Sequence, residues 1–338
     1  MTTKLPKITV PPMPKREIVV IGGSAGSLDA IKVVLNHFAA DLAAAVIVVI
    51  HLRARERSFL AQALSLACPL PVLSVADHQR IEKGKVYVAI LNHHVIVAKD
   101  HFHLSQGPKE GLHRPSINVT FRSAAESYKD GVVGVLLSGM LDDGASGLWE
   151  IVKQGGVAIV QDPADAMFPS MPIAALQDTP IQYTLPATRI GPMVNKIVSG
   201  QEEPPMSHVS SNYEPSMERF SGFTCPECRG PLYEKNTGLL EFRCRVGHTF
   251  SLPSLLEEGT NTQERKMYEA MVALSEGSDM ARYAAEHSPE PNKQLSAEAD
   301  QLRSYSDAIR RMIEDRKVGQ DLDVREKSPK LKIEMVGD

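Results

Sequence analysis

The chain has 338 residues, 43% of them hydrophobic and 23% charged, with a formal net charge of -4 at pH 7. That length suits one large domain plus a smaller one, and the charge balance gives no basis for binding nucleic acid or an anionic membrane. No apolar run reaches the roughly 20 residues of a membrane-spanning helix, and the polar, proline-rich start lacks the apolar centre of a signal peptide, so the expected location is the cytoplasm.

In chain order, Arg16–Ile21 reads as a strand, Ser27–Phe38 as a helix, Ala45–Leu52 as a strand and Ser58–Leu66 as a helix. Val72–Val75, Lys85–Leu91 and Val95–Ala98 read as strands, and the segment around Lys85–Leu104 as a β-hairpin insertion turning at Asn92. Ser116–Tyr128 is a predicted helix with Ser116 as its cap. Val132–Ser138, Ala145–Gln154, Val157–Gln161 and Pro172–Gln177 follow as strand, helix, strand and short helix. Strands alternating with helices predict a doubly wound, Rossmann-like α/β fold around a mostly parallel sheet. The expected division is an N-terminal tail over 1–15, a catalytic domain over 16–198, a Glu/Pro/Ser-rich linker over 199–219, a Cys/His module over 220–250, a helical region over 251–316 broken near Pro289-Glu290-Pro291, and a loose tail over 317–338.

The apolar run Ile18–Ile21 ends in Gly22-Gly23-Ser24-Ala25-Gly26 and passes directly into a helical pattern. A strand that anchors a serine, glycines that allow a tight turn, and a helix N-terminus that offers amides make a nucleophile elbow. The same loop could cradle a phosphate, although it lacks a P-loop lysine and the full dinucleotide fingerprint. A serine nucleophile needs a base and an orienting acid. His51 ends the run Val46–Ile50, and Asp142 and Asp143 follow the strand Val132–Leu137. All fall at the carboxyl ends of predicted parallel strands, where active-site crevices form. Taken singly, each has a plain structural use: Ser24, Asp142 or Asp143 as a helix cap, His51 as a histidine at a strand end.

These segments, with Arg114-Pro115-Ser116-Ile117-Asn118, Leu137-Ser138-Gly139-Met140-Leu141-Asp142-Asp143-Gly144-Ala145 and Gln161-Asp162 followed by Met171-Pro172, resemble the motif series of the chemotaxis protein-glutamate methylesterase catalytic domain over about Lys15–Val198. The resemblance implies Ser24 as nucleophile, His51 as general base and Asp143 as the acid, since the family's aspartate precedes a Gly-Ala pair. It leaves Asp142 a neighbour's role. It suggests the backbone N–H groups of Ala25 and Met140 as oxyanion donors. The implied substrate is a glutamate γ-methyl ester on a chemoreceptor helix, with receptor glutamine deamidation as a further activity and no catalytic cofactor. The chain departs from the family at Ala25, where threonine is frequent, at Leu141, where glycine is common, and in having no room for a phosphoacceptor receiver domain before residue 16.

Cys225-Pro226-Glu227-Cys228 pairs with Cys244 and His248 as a Cys₃His set at tetrahedral-zinc spacing. A segment this small needs such a staple to fold, and four protein ligands make a closed, structural site. The segment resembles the zinc-ribbon-like extension that follows some standalone methylesterase-type domains. Cys68 stands apart from this cluster, and the four cysteines do not form a disulfide framework. In the helical region, Met267, Met271, Leu274 and Met280, and later Leu302, Tyr305, Ile309 and Met312, predict one apolar stripe per helix, fit for self-packing or for docking a receptor or another chemosensory protein. The remaining readings are a non-catalytic chemosensory scaffold, against which the complete Ser24, His51, Asp143 set argues, and a nucleotide-binding protein, which would leave His51 unexplained. No role is expected for His37, His78, His93, His94, His101, His103 or Cys68 beyond structure or surface.

Overall fold

A computed structural model of the chain describes residues 15–51, 60–202, 204–205, 219–236, 239–288 and 292–326. The chain forms two compact units, Met1–Leu255 and Leu256–Asp338.

The first unit is built on seven parallel strands: β1 (Ile18–Gly23), β2 (Ala45–Ile50), β3 (Val72–Ser74), β4 (Val86–Val88), β7 (Val132–Leu136), β8 (Val157–Gln161) and β9 (Tyr183–Leu185). Their order is β3-β4-β2-β1-β7-β8-β9, the doubly wound arrangement expected. Val, Ile and Leu dominate the central strands because both faces are covered; every residue of β1, β2, β7 and β8 is buried. Alternate residues go to opposite faces. Ile18 and Val20 meet α3 (Ile117–Tyr128), α4 (Ala145–Lys153) and α5 (Ser170–Asp178), whereas Val19 and Ile21 meet α1 (Ser27–Asn36), α2 (Leu60–Ser65) and α6 (Ala187–Val198).

The expected hairpin is shifted along the chain. Lys85–Leu91 contributes β4, whose Val86, Tyr87 and Val88 are fully buried between β3 and β2. The hairpin is instead β5 (His94–Val97) with β6 (Phe102–Ser105), turning where Asp100 adopts φ 71°. Asn92 also has a positive φ, but it ends the loop that leaves β4. Neither β9 nor α6 was expected. α6 runs through Gly191 and Pro192, and glycine stands at 191 where a Cβ would lie 2.5 Å from the Val34 carbonyl of α1. The start of the predicted helix at Ser58 lies outside the described residues; the helix they contain begins at Leu60.

Beyond the sheet lie four antiparallel strands in chain order, β10 (Arg219–Thr224), β11 (Pro231–Asn236), β12 (Leu240–Cys244) and β13 (Thr249–Ser251). This ribbon belongs to the first unit. The second unit is carried by α7 (Leu252–Glu286), which begins in the first, and α8 (Lys293–Glu326); α8 runs on beyond Arg316. The stripe expected along these helices lies only partly in their seam: Met267, Met271, Leu274, Leu302 and Ile309 are half-buried. Met280, Tyr305 and Met312 are exposed, while small residues, Ser278, Ala299 and Ser306, are buried with Ile313. Ser278 and Ser306 donate to the Ala299 and Met271 carbonyls of the facing helix, and Arg303 bonds Asp279 and Ser275. Small residues let the two backbones approach, Leu302 packs over Gly277, where a Cβ would lie 3.4 Å from its Cδ1, and Met280, Tyr305 and Met312 are left outside.

Candidate active site

Ser24, His51 and the Asp142-Asp143 loop stand at the carboxyl ends of three neighbouring strands. β1 lies between β2 and β7, with Gly23 in register with Ile50 and Gly22 with Leu136. Ser24 and His51 are therefore the next residues of two paired strands, and the pairing continues as His51 N–H donates to Gly23 C=O at 3.1 Å. Ser24 N–H donates to Ser138 C=O (2.9 Å) beyond β7, which ties the elbow to the acid-bearing loop. The Ser24 carbonyl accepts the Ser27 hydroxyl at 2.7 Å, and Gly26, at φ 70°, turns the chain into α1. A Cβ on Gly26 would sit 2.8 Å from Met167 and Phe168, so the elbow packs under that loop only with glycine there.

His51 Nε2 lies 3.0 Å from Asp143 Oδ2, with 7% and 4% of the two side chains exposed. The approach is off the line of a straight hydrogen bond, and among the described residues Nε2 has no other partner. Asp143 is otherwise fully engaged at the N-terminus of α3. Its Oδ2 accepts Ile117 N–H (2.8 Å), and its Oδ1 accepts Asn118 N–H (3.0 Å) and the Ser116 hydroxyl (3.0 Å). Ser116 holds the N-cap position expected of it, but its hydroxyl accepts no helix amide; it donates to the carboxylate that does the capping. Burial alone would raise the Asp143 pKa. The contacts from His51 and His113 and the Ile117 amide outweigh that and hold the carboxyl below its usual range. The positive end of the α3 dipole acts in the same direction. The buried acid is therefore an anion poised beside the imidazole.

Neither aspartate caps α4, whose N-cap is Gly144. That duty falls to Asn118, whose Oδ1 accepts Gly144 N–H (2.9 Å) and Gly147 N–H (2.8 Å). Asp142 turns the other way, to Ser251 of the ribbon. Burial, with the neighbouring Asp143 and Glu241 charges, raises its pKa to about 6, although the Ser251 hydrogen bond opposes the shift. His113 stacks on His51 with ring centroids 3.7 Å apart and planes at 15°.

The bend after β7 is fixed by Ser138. Its amide donates to Gln161 Oε1 (2.9 Å), its hydroxyl donates to the Ala25 carbonyl (2.8 Å) and accepts Phe168 N–H (2.9 Å). Gly139 N–H donates to Phe168 C=O, and a side chain there would overlap Met171 Sδ, at 1.9 Å. Leu141 adopts φ 62°. Met140, Met167 and Phe168 are exposed apolar side chains on these loops.

The CheB methylesterase family model matches residues 19–194. The chain belongs to this family. It is 37% identical over 175 residues to a Leptospira interrogans protein provisionally named a protein-glutamate methylesterase/protein-glutamine glutaminase; the match covers 52% of the chain and 91% of that protein. It is 36% identical over 193 residues to the protein-glutamate methylesterase/protein-glutamine glutaminase of Caldanaerobacter subterraneus, covering 55% of the chain and 52% of the relative, so the chain spans about half the length of that protein. The crystal structure of the Thermotoga maritima CheB methylesterase catalytic domain superposes with a TM-score of 0.51 at 28% identity, covering 54% of the chain and 98% of the domain. Within this methylesterase domain, Ser24, His51 and Asp143 are the residues the sequence singled out. Ser138, Gln161, Asn118 and His113 were not; three of them sat inside quoted motifs, and their bonds join segments far apart in sequence.

The ribbon brings its four expected ligands together. Cys225, Cys228, Cys244 and His248 have ligand atoms all within 4.8 Å of one another. Sγ of Cys228 and Cys244 are 3.5 Å apart, and His248 Nδ1 lies 3.5 Å from Cys244 and 3.8 Å from Cys225. Edges of about 3.6–3.8 Å are those of a tetrahedron with zinc–ligand bonds of about 2.1–2.3 Å, so the donor set fits that ion. A second group, Asp77, His78 and His103, lies exposed at the surface. Buried His94 is structural: Nε2–H donates to Pro108 C=O (2.9 Å), while Nδ1 accepts Ser116 N–H (3.3 Å). Among the described residues, no helix is long and apolar enough to cross a membrane.

Proposed function

We propose that the chain is a serine hydrolase that demethylates glutamate γ-methyl esters on chemoreceptors, with Ser24 as nucleophile, His51 as base and Asp143 as the acid. The observation that carries this reading is the buried His51–Asp143 contact of 3.0 Å at the strand end paired with that of Ser24. The names of the relatives support methylesterase and glutaminase activities on one scaffold.

Ser24 Oγ attacks the ester carbonyl as His51 takes its proton on the ring nitrogen not turned to Asp143. The Asp143 anion, held by the α3 amides, stabilises the resulting imidazolium and fixes its orientation. His51 then protonates the departing methoxide and methanol leaves. Water, deprotonated by His51, attacks the acyl-Ser24, and the proton returns to Ser24 as the glutamate carboxylate is released. With a glutamine substrate the same acyl-enzyme forms and ammonia leaves. Ser24 N–H and Gly139 N–H are committed to Ser138 and Phe168 carbonyls, so the amides of Ala25 and Met140 are the next donors along the two bends for the oxyanion. Exposed Met140, Met167 and Phe168 suit the apolar side of a receptor helix. The setting proposed for this reaction is the cytoplasm, where such a helix is met.

Cys225, Cys228, Cys244 and His248 would hold zinc as a structural ion; with four protein donors it leaves no open position for chemistry. The test of the function is methanol release from methylated receptor fragments. Wild type should release it and Ser24→Ala should not; undiminished release by Ser24→Ala removes the mechanism.

A further inference from the structure

One stretch, Pro108–His113, runs from the ribbon to the catalytic imidazole. A side chain on Gly247, between two of the Cys₃His donors, would lie 3.3 Å from Pro108. Lys109 pairs with Glu227 of the first knuckle at 3.1 Å. Glu110 bridges Thr249 in parallel register, and Gly111 N–H donates to Thr249 C=O at 2.9 Å. Leu112 packs into the ribbon core of Cys225, Leu232, Phe242, Cys244 and Phe250. The next residue, His113, is the one stacked on His51. Glu110 and His113 close the bend with two backbone hydrogen bonds, and the bend passes over the acid, since a Cβ on Gly111 would be 3.8 Å from Asp143.

The ribbon also holds the loop of the acid itself. Ser251 Oγ donates to Asp142 Oδ1 at 2.9 Å, and Ser146 Oγ, in the first turn of α4, donates to Glu241 Oε1 at 2.9 Å. A cavity of 330 Å³ separates these two attachments, with Asp142, Asp143 and Ser146 on one wall and Glu241, Phe250 and Ser251 on the other. Buried Glu110, paired with Arg122 of α3, closes its floor. The ribbon thus touches the bend that lays His113 on His51 and the loop that carries Asp143.

We propose that the ribbon is an intramolecular positioning module for the catalytic centre, with Leu112 and Ser251 as its positioning residues: Leu112 anchors the bend that lays His113 against His51, and Ser251 anchors the loop that presents Asp143. This rests on the Ser24–His51–Asp143 reading. Anchoring matters because a misplacement of about 1 Å in a reacting constellation costs up to about 100-fold in rate, and Leu112, at φ 70°, sits in a conformation that a free loop would not hold.

The test is the rate at which a small fluorophosphonate labels Ser24, a reaction that needs nucleophile and base but no receptor. Four variants of the full chain are compared: Leu112→Ala, Leu112→Met, Ser251→Ala and Ser251→Thr. The two alanine variants should label about tenfold more slowly, while Leu112→Met and Ser251→Thr return to within about twofold of wild type. Circular dichroism and bound zinc should stay unchanged in all four. Wild-type labelling rates in both alanine variants would overturn the proposal, as would equal slowing in the conservative ones. Failure of the underlying reading looks different: wild type would not label at all, or Ser24→Ala would label as fast.

Discussion

Asn118 and Asp143 cap each other's helices. The Asp143 carboxylate accepts the first amides of α3, and the Asn118 carboxamide, from the first turn of α3, accepts the first amides of α4. Each residue satisfies donors that a helix start leaves without internal partners, and both are buried. The acid of the site is thereby a structural hub, and its position is set by two helices at once.

Asn118→Ala should cost about 2 kcal/mol, because it strips two buried amides of their acceptor. Equilibrium urea unfolding measures it. Esterase activity should fall as well, since α4 carries the loop of Asp143; a variant as stable and active as wild type would show that the interlock is dispensable.

Asp143→Asn keeps the shape of the acid and removes its charge. Turnover should fall by about 10³–10⁴, read as methanol release at pH 7.5. The charge also couples to folding. The Asp143 pKa is depressed in the fold, so its contribution to stability is present above the unfolded value of about 3.9 and is lost as the pH falls through the folded value. The stability lost by wild type in acid below about pH 4 should shrink in Asp143→Asn.

Asp142 has the opposite sign. Its pKa rises to about 6 in the fold, so below about pH 4 the residue is neutral in both states and neutral penalties cancel. As the pH climbs from about 4 to 6 the unfolded chain ionises first, and stability declines. Asp142→Asn retains an acceptor for Ser251 and should be more stable than wild type by about 1–3 kcal/mol at pH 8, with the difference gone at pH 4. Thermal unfolding at the two pH values decides it; equal gains at both would show that charge is not the cause.

Gly139→Ala places a methyl group against the Met171 sulfur. Overpacking of this kind costs about 1–3 kcal/mol, and the bend that carries Met140 should move with it, lowering activity. Pairing it with Met171→Ala makes room for the added methyl, so the double variant should regain activity; persistent inactivity would locate the defect elsewhere.

Zinc should be present at about one per chain in protein purified without chelators. Cys244→Ser should lose it and unfold the ribbon, read as loss of hydrogen-exchange protection in β11 and β12. Full protection in a metal-free chain would mean that the ribbon core alone suffices.

The parallel sheet was legible because β1, β2, β7 and β8 are short apolar runs closed by turn residues, and the elbow because Gly22-Gly23-Ser24-Ala25-Gly26 follows such a run. Strand-end position drew attention to His51 and to both Asp142 and Asp143, and only the resemblance to the family chose between the two aspartates. What was not legible depends on pairing across distance. Lys85–Leu91 and Val95–Ala98 are equally apolar, and no local pattern says that the first joins the sheet and the second the hairpin. Ser116 looks like a cap because serine is a good one; only the approach of Asp143 reverses its role. Leu112 and Ser251 carry no signal at all, since their partners lie more than a hundred residues away, in the ribbon for the first and beside the acid for the second.

The family-model match ends at residue 194, yet Leu112 lends its side chain to a core whose other members begin at Cys225. The unit of inheritance and the unit of folding therefore have different borders. A fragment trimmed to the family match would carry Leu112 without the core that receives it and Asp142 without its Ser251 partner. Its behaviour would report on a mutilated surface as much as on the chemistry, and grafting this domain onto another carrier would need the ribbon to travel with it.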